Sequence, residues 1–173
     1  ADVIMGLTTK FLWKNWDLST YLYFSLGKDI FAMYEYYTMY GCLGSNYSVD
    51  RLNKSWDSVT NPNGNYPMWL GASYEGSEAS TQAHTNYVKD GSYLRMQTLT
   101  LGYTIPSKWT RAVNLSKVRL YLQASNLFTI TKYPGLDPEV RNGGSTSVDT
   151  QRGVDFGSYG MPRQYLFGVN INF

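Results

Sequence analysis

The stretch Gln164–Phe173 alternates with a period of two. Tyr165, Phe167, Val169, Ile171 and Phe173 fall on one parity, Gln164, Gly168, Asn170 and Asn172 on the other, and Leu166 is the one exception. A β-strand sends successive side chains to opposite faces, so the pattern predicts a strand with an aromatic-aliphatic face and a small or amide face. The same period runs through residues 3–13, where Val3, Met5, Leu7, Thr9, Phe11 and Trp13 oppose Ile4, Gly6, Thr8, Lys10 and Leu12. After the tight link Lys14-Asn15-Trp16 it resumes, with Leu18, Thr20, Leu22, Phe24 and Leu26 opposing Ser19, Tyr21, Tyr23, Ser25 and Gly27. These two runs predict a β-hairpin with a short turn.

A third strand is predicted over 91–105, but its phase slips near Gln97-Thr98: Leu94 and Met96 share one parity, Leu99, Leu101, Tyr103 and Ile105 the other. Such a slip marks either a β-bulge or a change in what covers each face. Pro106-Ser107 ends the strand, and Lys108 to Val113 reads as one helical turn. A fourth strand is predicted over 117–131, with Val118, Leu120, Leu122, Ala124, Phe128 and Ile130 on one parity, Lys117, Arg119, Tyr121, Gln123 and Ser125 opposite, and Asn126 a misfit among the apolar positions. Between the hairpin and the third strand, residues 32–90 lose the period. Tyr34, Tyr36, Tyr37 and Tyr40 cluster there; Ser48 is placed to cap a helix over 49–59 with Leu52, Trp56 and Val59 on one face; Asn61-Pro62-Asn63-Gly64-Asn65 is a turn cluster. A second aperiodic stretch, 133–161, is rich in Gly, Ser and Asp.

Five strands of about 10–15 residues are thus joined by links that run short, long, short, long. Strands of about ten residues are long enough to cross a bilayer when tilted, and brief turns at one end with extended loops at the other belong to transmembrane β-barrels. The fold class expected is all-β, an antiparallel transmembrane barrel segment with long extracellular loops. The turns at 14–16 and 106–116 would then face the periplasm, and Trp13 and Trp16 would sit at the membrane–water boundary. Five strands cannot close a barrel, since at least about eight are needed and lipid does not tolerate an open edge. On this reading residues 1–173 are the C-terminal part of a larger barrel domain; the alternative is a soluble β-sandwich that binds carbohydrate. The sequence opens at Ala1-Asp2 and enters a strand pattern almost at once, as the middle of something longer would, and lack of a signal peptide carries no information on location.

Composition agrees with strands apolar on one side only. Charged residues make up 16% and aromatics 16%, including 16 Tyr, against about 25% charged in ordinary soluble domains. The mean hydropathy of -0.35 is too polar for a helical membrane protein. A net charge of +2 argues against nucleic acid as a partner.

Several local signatures coincide in order and spacing. Asp90-Gly91-Ser92-Tyr93-Leu94-Arg95 followed by Leu99-Thr100-Leu101-Gly102-Tyr103 and Pro106, then Val118-Arg119-Leu120-Tyr121, Ser125-Asn126-Leu127-Phe128-Thr129 and Lys132-Tyr133-Pro134-Gly135-Leu136-Asp137-Pro138-Glu139-Val140 resemble stretches of SusC/RagA-type TonB-dependent outer-membrane transporters of Bacteroidota. Gly153-Val154-Asp155-Phe156-Gly157-Ser158-Tyr159, Pro162-Arg163 and the terminal strand resemble that family's C-terminus, and Asn61-Pro62-Asn63 sits where it has a Pro-Asn loop. The resemblance covers most of 49–173; residues 1–48 match in pattern more than in motif, Gly160-Met161 precedes Pro162, and the Asn61 cluster lacks an acidic residue. It implies a barrel of about 22 strands with an N-terminal plug. It also implies outer-membrane localisation, energisation by TonB through parts absent here, a SusD-like surface lipoprotein partner, and import of glycan fragments or peptides. Tyr165, Phe167, Val169, Ile171 and Phe173 would form the signal read by the barrel assembly machinery, and Leu18, Leu22, Phe24, Leu120, Leu122, Phe167, Val169 and Ile171 the lipid face.

No catalytic constellation, cofactor motif or metal set stands out, so no enzyme is expected. Cys42 and His84 lack a context for thiol chemistry; Asp137 and Glu139 read as a loop brace beside Pro134, Gly135 and Pro138; Gly143-Gly144 is a turn, since no strand-to-helix phosphate motif surrounds it. The substrate- or partner-contact candidates are Tyr47, Trp56, Tyr66, Trp69 and Tyr74, because flat amphipathic rings bury area at low entropic cost against sugars or a protein partner.

Overall fold

Each period-two segment forms a strand, and the strands pair antiparallel in one twisted sheet. In the computed structural model β1 (Val3–Trp13), β2 (Trp16–Leu26), β5 (Tyr93–Thr104), β6 (Lys117–Ser125) and β9 (Gln164–Asn172) lie side by side in that order, with β7 (Thr129–Thr131) paired to the start of β5. The structure describes residues 1–40, 46–68, 85–111, 114–140 and 153–173. They divide into two units: the sheet, comprising Ala1–Lys28, Gly91–Lys132 and Gly160–Phe173, and a second unit of Asp29–Asp90 and Tyr133–Tyr159.

Register keeps the two faces of the sheet chemically distinct. Phe11, Leu18, Leu101, Leu122 and Phe167 form one row across all five long strands; Leu12, Asp17, Gly102, Tyr121 and Gly168 form the neighbouring row on the other face. The apolar face carries no charged side chain on any strand. Its hydroxyls Thr9 and Thr20 face each other and hydrogen-bond at 2.5 Å. That pairing removes the cost of leaving either hydroxyl without a partner away from water. The face is open, with Phe167 67% exposed.

The phase slip in β5 is a bulge. Tyr21 pairs with Thr98 and Leu22 with Met96, so Gln97 is the extra residue. The next strand answers it: Asn126 takes φ 53°, a left-handed conformation that Asn tolerates better than most residues, and its N–H donates to the Gln97 carbonyl at 3.0 Å. Leu127 N–H then donates to Met96 O, and Met96 N–H to Phe128 O. The strand expected over 117–131 is accordingly two, β6 and β7, separated at Asn126. The β1–β2 turn is the two residues Lys14 and Asn15, with Lys14 at φ 52°, and Trp16 already pairs with Trp13. A short helix α3 (Ser107–Thr110) lies in the link between β5 and β6.

On the polar face, Arg119 reaches from β6 over β5 to Asp17 on β2, donating from Nε at 2.9 Å and from Nη2 at 2.5 Å. This two-bond geometry is the strong form of the pair. It crosses β5 at Gly102, where any Cβ would overlap both the guanidinium and the carboxylate. Tyr121 lies over Gly168 of β9 in the same way, its ring occupying the space a side chain would need.

The second unit was not legible as sheet. β3 (Asp29–Ala32) pairs antiparallel with β4 (Val88–Asp90) and parallel with β8 (Val154–Asp155), so the two long aperiodic stretches are stitched into one body. The tyrosine cluster is helical: α1 (Met33–Tyr40) places Tyr36 and Met39, three residues apart, on one face. They pack with Phe31, Tyr66 and Tyr87, with Phe31 and Tyr36 edge-on to Tyr87 at 5.8 and 5.9 Å.

The helix expected over 49–59 ends early. Ser48 caps it as expected, its Oγ accepting from Asp50 N–H, but α2 spans only Val49–Lys54. Local side chains outcompete the helix beyond that point. Asp57 accepts from the Val59 and Thr60 amides, Asn61 Nδ2 donates to Asn53 O and Ser55 O, and Trp56 N–H and Tyr66 N–H are taken by Tyr66 O and Lys54 O. Leu52, Trp56 and Val59 are consequently exposed and form no buried face.

Gly102→Val should force the Asp17–Arg119 pair apart and cost about 1–3 kcal/mol, as overpacking does. The check is the thermal transition of the full-length parent protein, followed by heat-modified gel mobility, which should fall relative to wild type.

Candidate functional site

The loop aromatics fare differently from one another. Tyr47 and Trp56 are exposed, Trp56 at 42%, its backbone held by the neighbouring Ser55–Tyr66 bridge and by its own N–H donating to Tyr66 O at 2.8 Å. Tyr66 is taken up by the core of the second unit: it is 5% exposed, and its hydroxyl donates to Glu35 Oε2 at 3.4 Å. Burial, reinforced by the Glu35 charge, pushes its phenol above the ordinary range. Glu35 also pairs with Lys89 Nζ at 2.9 Å, tying α1 to β4. Trp69 and Tyr74 lie outside the described residues, as do Cys42, His84 and Gly143-Gly144.

A buried polar knot holds the same unit together. Tyr133 donates its phenol proton to Asp155 Oδ2 at 2.7 Å, and Asp155 Oδ1 accepts the amides of Gly157 and Ser158 at 2.9 and 3.0 Å. Each carboxylate oxygen is thereby satisfied, which a carboxylate 2% exposed requires. Burial, with Asp155 second, raises the Tyr133 phenol above its ordinary 10.0; burial and the nearby Glu35 push Tyr34 up to about 12. Asp137 accepts the Glu139 amide at 2.8 Å, a turn brace rather than a carboxylate pair aimed at a cation. Among the described residues no cluster of His, Cys, Asp or Glu is arranged to hold a metal.

In the sheet unit the candidate chemistry is on the polar face at the turn end. Lys10, Lys14, Asn15, Asp17, Thr104, Lys117 and Arg119 surround a recess of about 290 Å3. Lys117 and Arg119 also border a second of about 500 Å3 beside Asn170 and Asn172. Lys10, Lys117 and Arg119 share the parity opposite the apolar residues, as their places in the alternation predict. On β9, Tyr165, Phe167, Val169 and Ile171 stand together on the apolar face opposite Ala124, Leu122, Leu120 and Val118, and Phe173 follows, 94% exposed. At the turn end of that face Trp16 packs against Tyr103 with ring centres 4.7 Å apart and planes tilted by 49°, and Trp13 is exposed, as is Trp109 on α3.

No protein-family model matches the chain. Along its whole length it is similar to larger proteins. It is 34% identical over 176 residues, 99% of this chain and 16% of the relative, to TonB-dependent receptor P3 of Formosa agariphila. It is 30% identical over 174 residues, 100% of this chain and 15% of the relative, to TonB-dependent receptor SusC of Bacteroides thetaiotaomicron. The chain therefore spans about a sixth of the length of the curated relatives it matches. Among solved structures it superposes on a chain of the RagAB peptide transporter with a TM-score of 0.74 at 25% identity, covering 97% of this chain and 17% of that one. It also superposes on the RagAB peptide importer in its 'open-open' state, with a TM-score of 0.71 at 26% identity, 98% of this chain and 17% of that one.

Tyr133→Phe removes the donor from a buried carboxylate and should cost the second unit about 1–3 kcal/mol. Hydrogen exchange at Gly157 and Ser158 in the full-length parent should accelerate. Because the folded phenol titrates above its unfolded value of 10.0, its contribution is whole below that pH and declines as pH rises beyond it. Exchange at these amides should therefore quicken on going from neutral pH to above 10 more in wild type than in the variant, after correction for intrinsic exchange.

Proposed function

Because the chain belongs to the SusC/RagA group of TonB-dependent receptors, we propose that it is the strand-and-loop segment of an outer-membrane active transporter. On this reading the parent protein imports oligosaccharides or peptides, is energised through TonB by parts of the polypeptide beyond this segment, and works with a SusD-like surface lipoprotein. The segment itself performs no catalysis and needs no cofactor.

The observation that carries the reading is the uncharged face running unbroken across five strands of 9 to 12 residues. Lipid accepts such a face, and each strand is long enough to cross the hydrocarbon layer when tilted. A soluble sandwich would bury the same face under a second sheet about 10 Å away; here Phe11, Leu122, Phe167 and Ile171 are all open. The Lys14-Asn15 turn and the β5–β6 link then face the periplasm, with Trp13, Trp16 and Trp109 at the membrane boundary, where indoles are favoured. Both long excursions leave the sheet from the opposite end and face outward, carrying Tyr47 and Trp56 as contacts for substrate or lipoprotein.

Fractionation of the native source, detergent extraction and mass spectrometry of the intact band test this directly. The expected result is an outer-membrane band several-fold larger than 19.7 kDa that co-extracts with a lipoprotein. A soluble chain of that size overturns the reading. The aromatic parity of β9 ending at Phe173 is assigned to recognition by the barrel assembly machinery. Phe173→Asp in the full-length parent should lower its outer-membrane yield without changing its transcript, and an unchanged yield would refute that role.

A further inference from the structure

The polar face of the sheet carries more positive charge than its own carboxylate neutralises. Its charged strand residues are Lys10, Asp17, Arg95, Lys117 and Arg119. Asp17 is consumed by Arg119. Arg95 is buried, stacked on Tyr93 at 5.2 Å and donating to Thr129 at 3.0 Å, so it offers little to solvent. Lys10 and Lys117 are exposed; Asp17 attracts both at longer range, but it is already paired with Arg119, and among the described residues neither lysine has a carboxylate within ion-pair distance. Both line the recess of about 290 Å3 with Lys14, and Lys117 continues into the recess of about 500 Å3, where the Asn170 and Asn172 amides are neighbours.

Inside a passage with low-dielectric walls, unneutralised cations focus field lines and concentrate anions, and rings of Lys and Arg line anion-selective pores for that reason. Lysine ammonium groups on flexible stems suit a moving ligand: they offer three donors each and impose no fixed fork geometry. The amides and Thr104 supply hydrogen bonds that can be exchanged as groups pass. We propose that the substrate moving along this wall is an acidic oligomer, one bearing carboxylate or sulfate groups, and that Lys10 and Lys117 hold those groups in transit near the turn end. This rests on the transporter reading and narrows it to a substrate class.

The test uses the full-length transporter with its lipoprotein in the native outer membrane, comparing wild type with K10Q/K117Q and K10R/K117R. The probes are labelled oligogalacturonate, a labelled oligoglutamate peptide of equal length and a labelled neutral glucan oligosaccharide. Uptake is scored per transporter present in the membrane. The expected result is that wild type takes up one of the acidic probes, and which one separates saccharide from peptide. Uptake of that probe relative to the neutral glucan should fall about tenfold in K10Q/K117Q, recover in K10R/K117R, and weaken with added salt. Equal loss of all probes, or loss of membrane yield alone, would mean that these lysines balance charge on another segment of the polypeptide, and overturns the proposal. Uptake of the neutral glucan but of neither acidic probe overturns it while leaving the transporter reading intact. A wild type that takes up no oligomer overturns both.

Discussion

Register is the constraint on which the sheet depends. A strand that slips by one residue moves its whole apolar set to the opposite face. Here one face is uncharged from β1 to β9, so an uncorrected slip of β6 would set Arg119 and Lys117 beside Leu101 of β5 and Phe167 of β9. Such a charge on the lipid face costs about 2–4 kcal/mol near the bilayer midplane. The bulge at Gln97 is therefore a working part of the sheet. It transfers β5 from the parity of Leu94 and Met96 to that of Leu99 and Leu101 while both halves keep their apolar residues beside β2. The left-handed turn at Asn126 absorbs the matching excess on β6 and β7, and the Asn126 amide hydrogen bond to Gln97 joins the two corrections.

The polar face is stabilised differently. Strands there are held by side chains that lie across their neighbours, and the glycines mark where a crossing passes. Arg119 spans β5 at Gly102 to reach Asp17, and its guanidinium also sits 5.4 Å from the Tyr121 ring, which in turn covers Gly168 on β9. One chain of contacts thus runs from β2 to β9 across this face. The same crossing engages the one acidic residue that these strands supply, so among the described residues Lys10 and Lys117 have no carboxylate within ion-pair distance and share only the longer-range attraction of Asp17. Cohesion of the wall and its positive character come from the same pair.

The sheet was legible in the sequence because alternation is a strong signal where one face is apolar and the other polar. Boundaries at Val3, Trp13 and Gln164 follow from it, whereas Trp16, read as part of the turn, already opens β2; the slip at Gln97 was visible although a bulge could not be told from a change of cover. Asn126 was visible only as a misfit; that it is left-handed depends on a partner strand. The second unit was not legible for an equally physical reason. Its strands β3, β4 and β8 are 4, 3 and 2 residues long, too short to show a period, and they pair across large separations in the chain. The helix after Ser48 was overextended because apolar spacing at Leu52, Trp56 and Val59 says nothing about Asp57 and Asn61, whose side chains take the backbone groups that another helical turn would have used. Tyr66 looked like Trp56 in the sequence, a loop aromatic; only the packing of Met39, Tyr87 and Phe31 separates a core ring from a surface one.

The second unit shows how long excursions from a sheet become ordered bodies. Loop backbone carries polar groups that need partners, and long aperiodic segments usually stay at the surface for that reason. Here the two excursions satisfy each other: Phe31 N–H donates to Gly153 O, β3 pairs with β8, and Tyr133 closes on Asp155. Neither excursion builds this body alone, since β8 and Tyr133 come from one and β3, α1 and Tyr66 from the other. Order in this unit is thus a joint property of two loops separated in the chain by β5 and β6. Within the first excursion the Ser55–Tyr66 bridge and the Trp56 N–H to Tyr66 O bond fix the backbone at Trp56 and leave its ring exposed, the arrangement a surface contact requires.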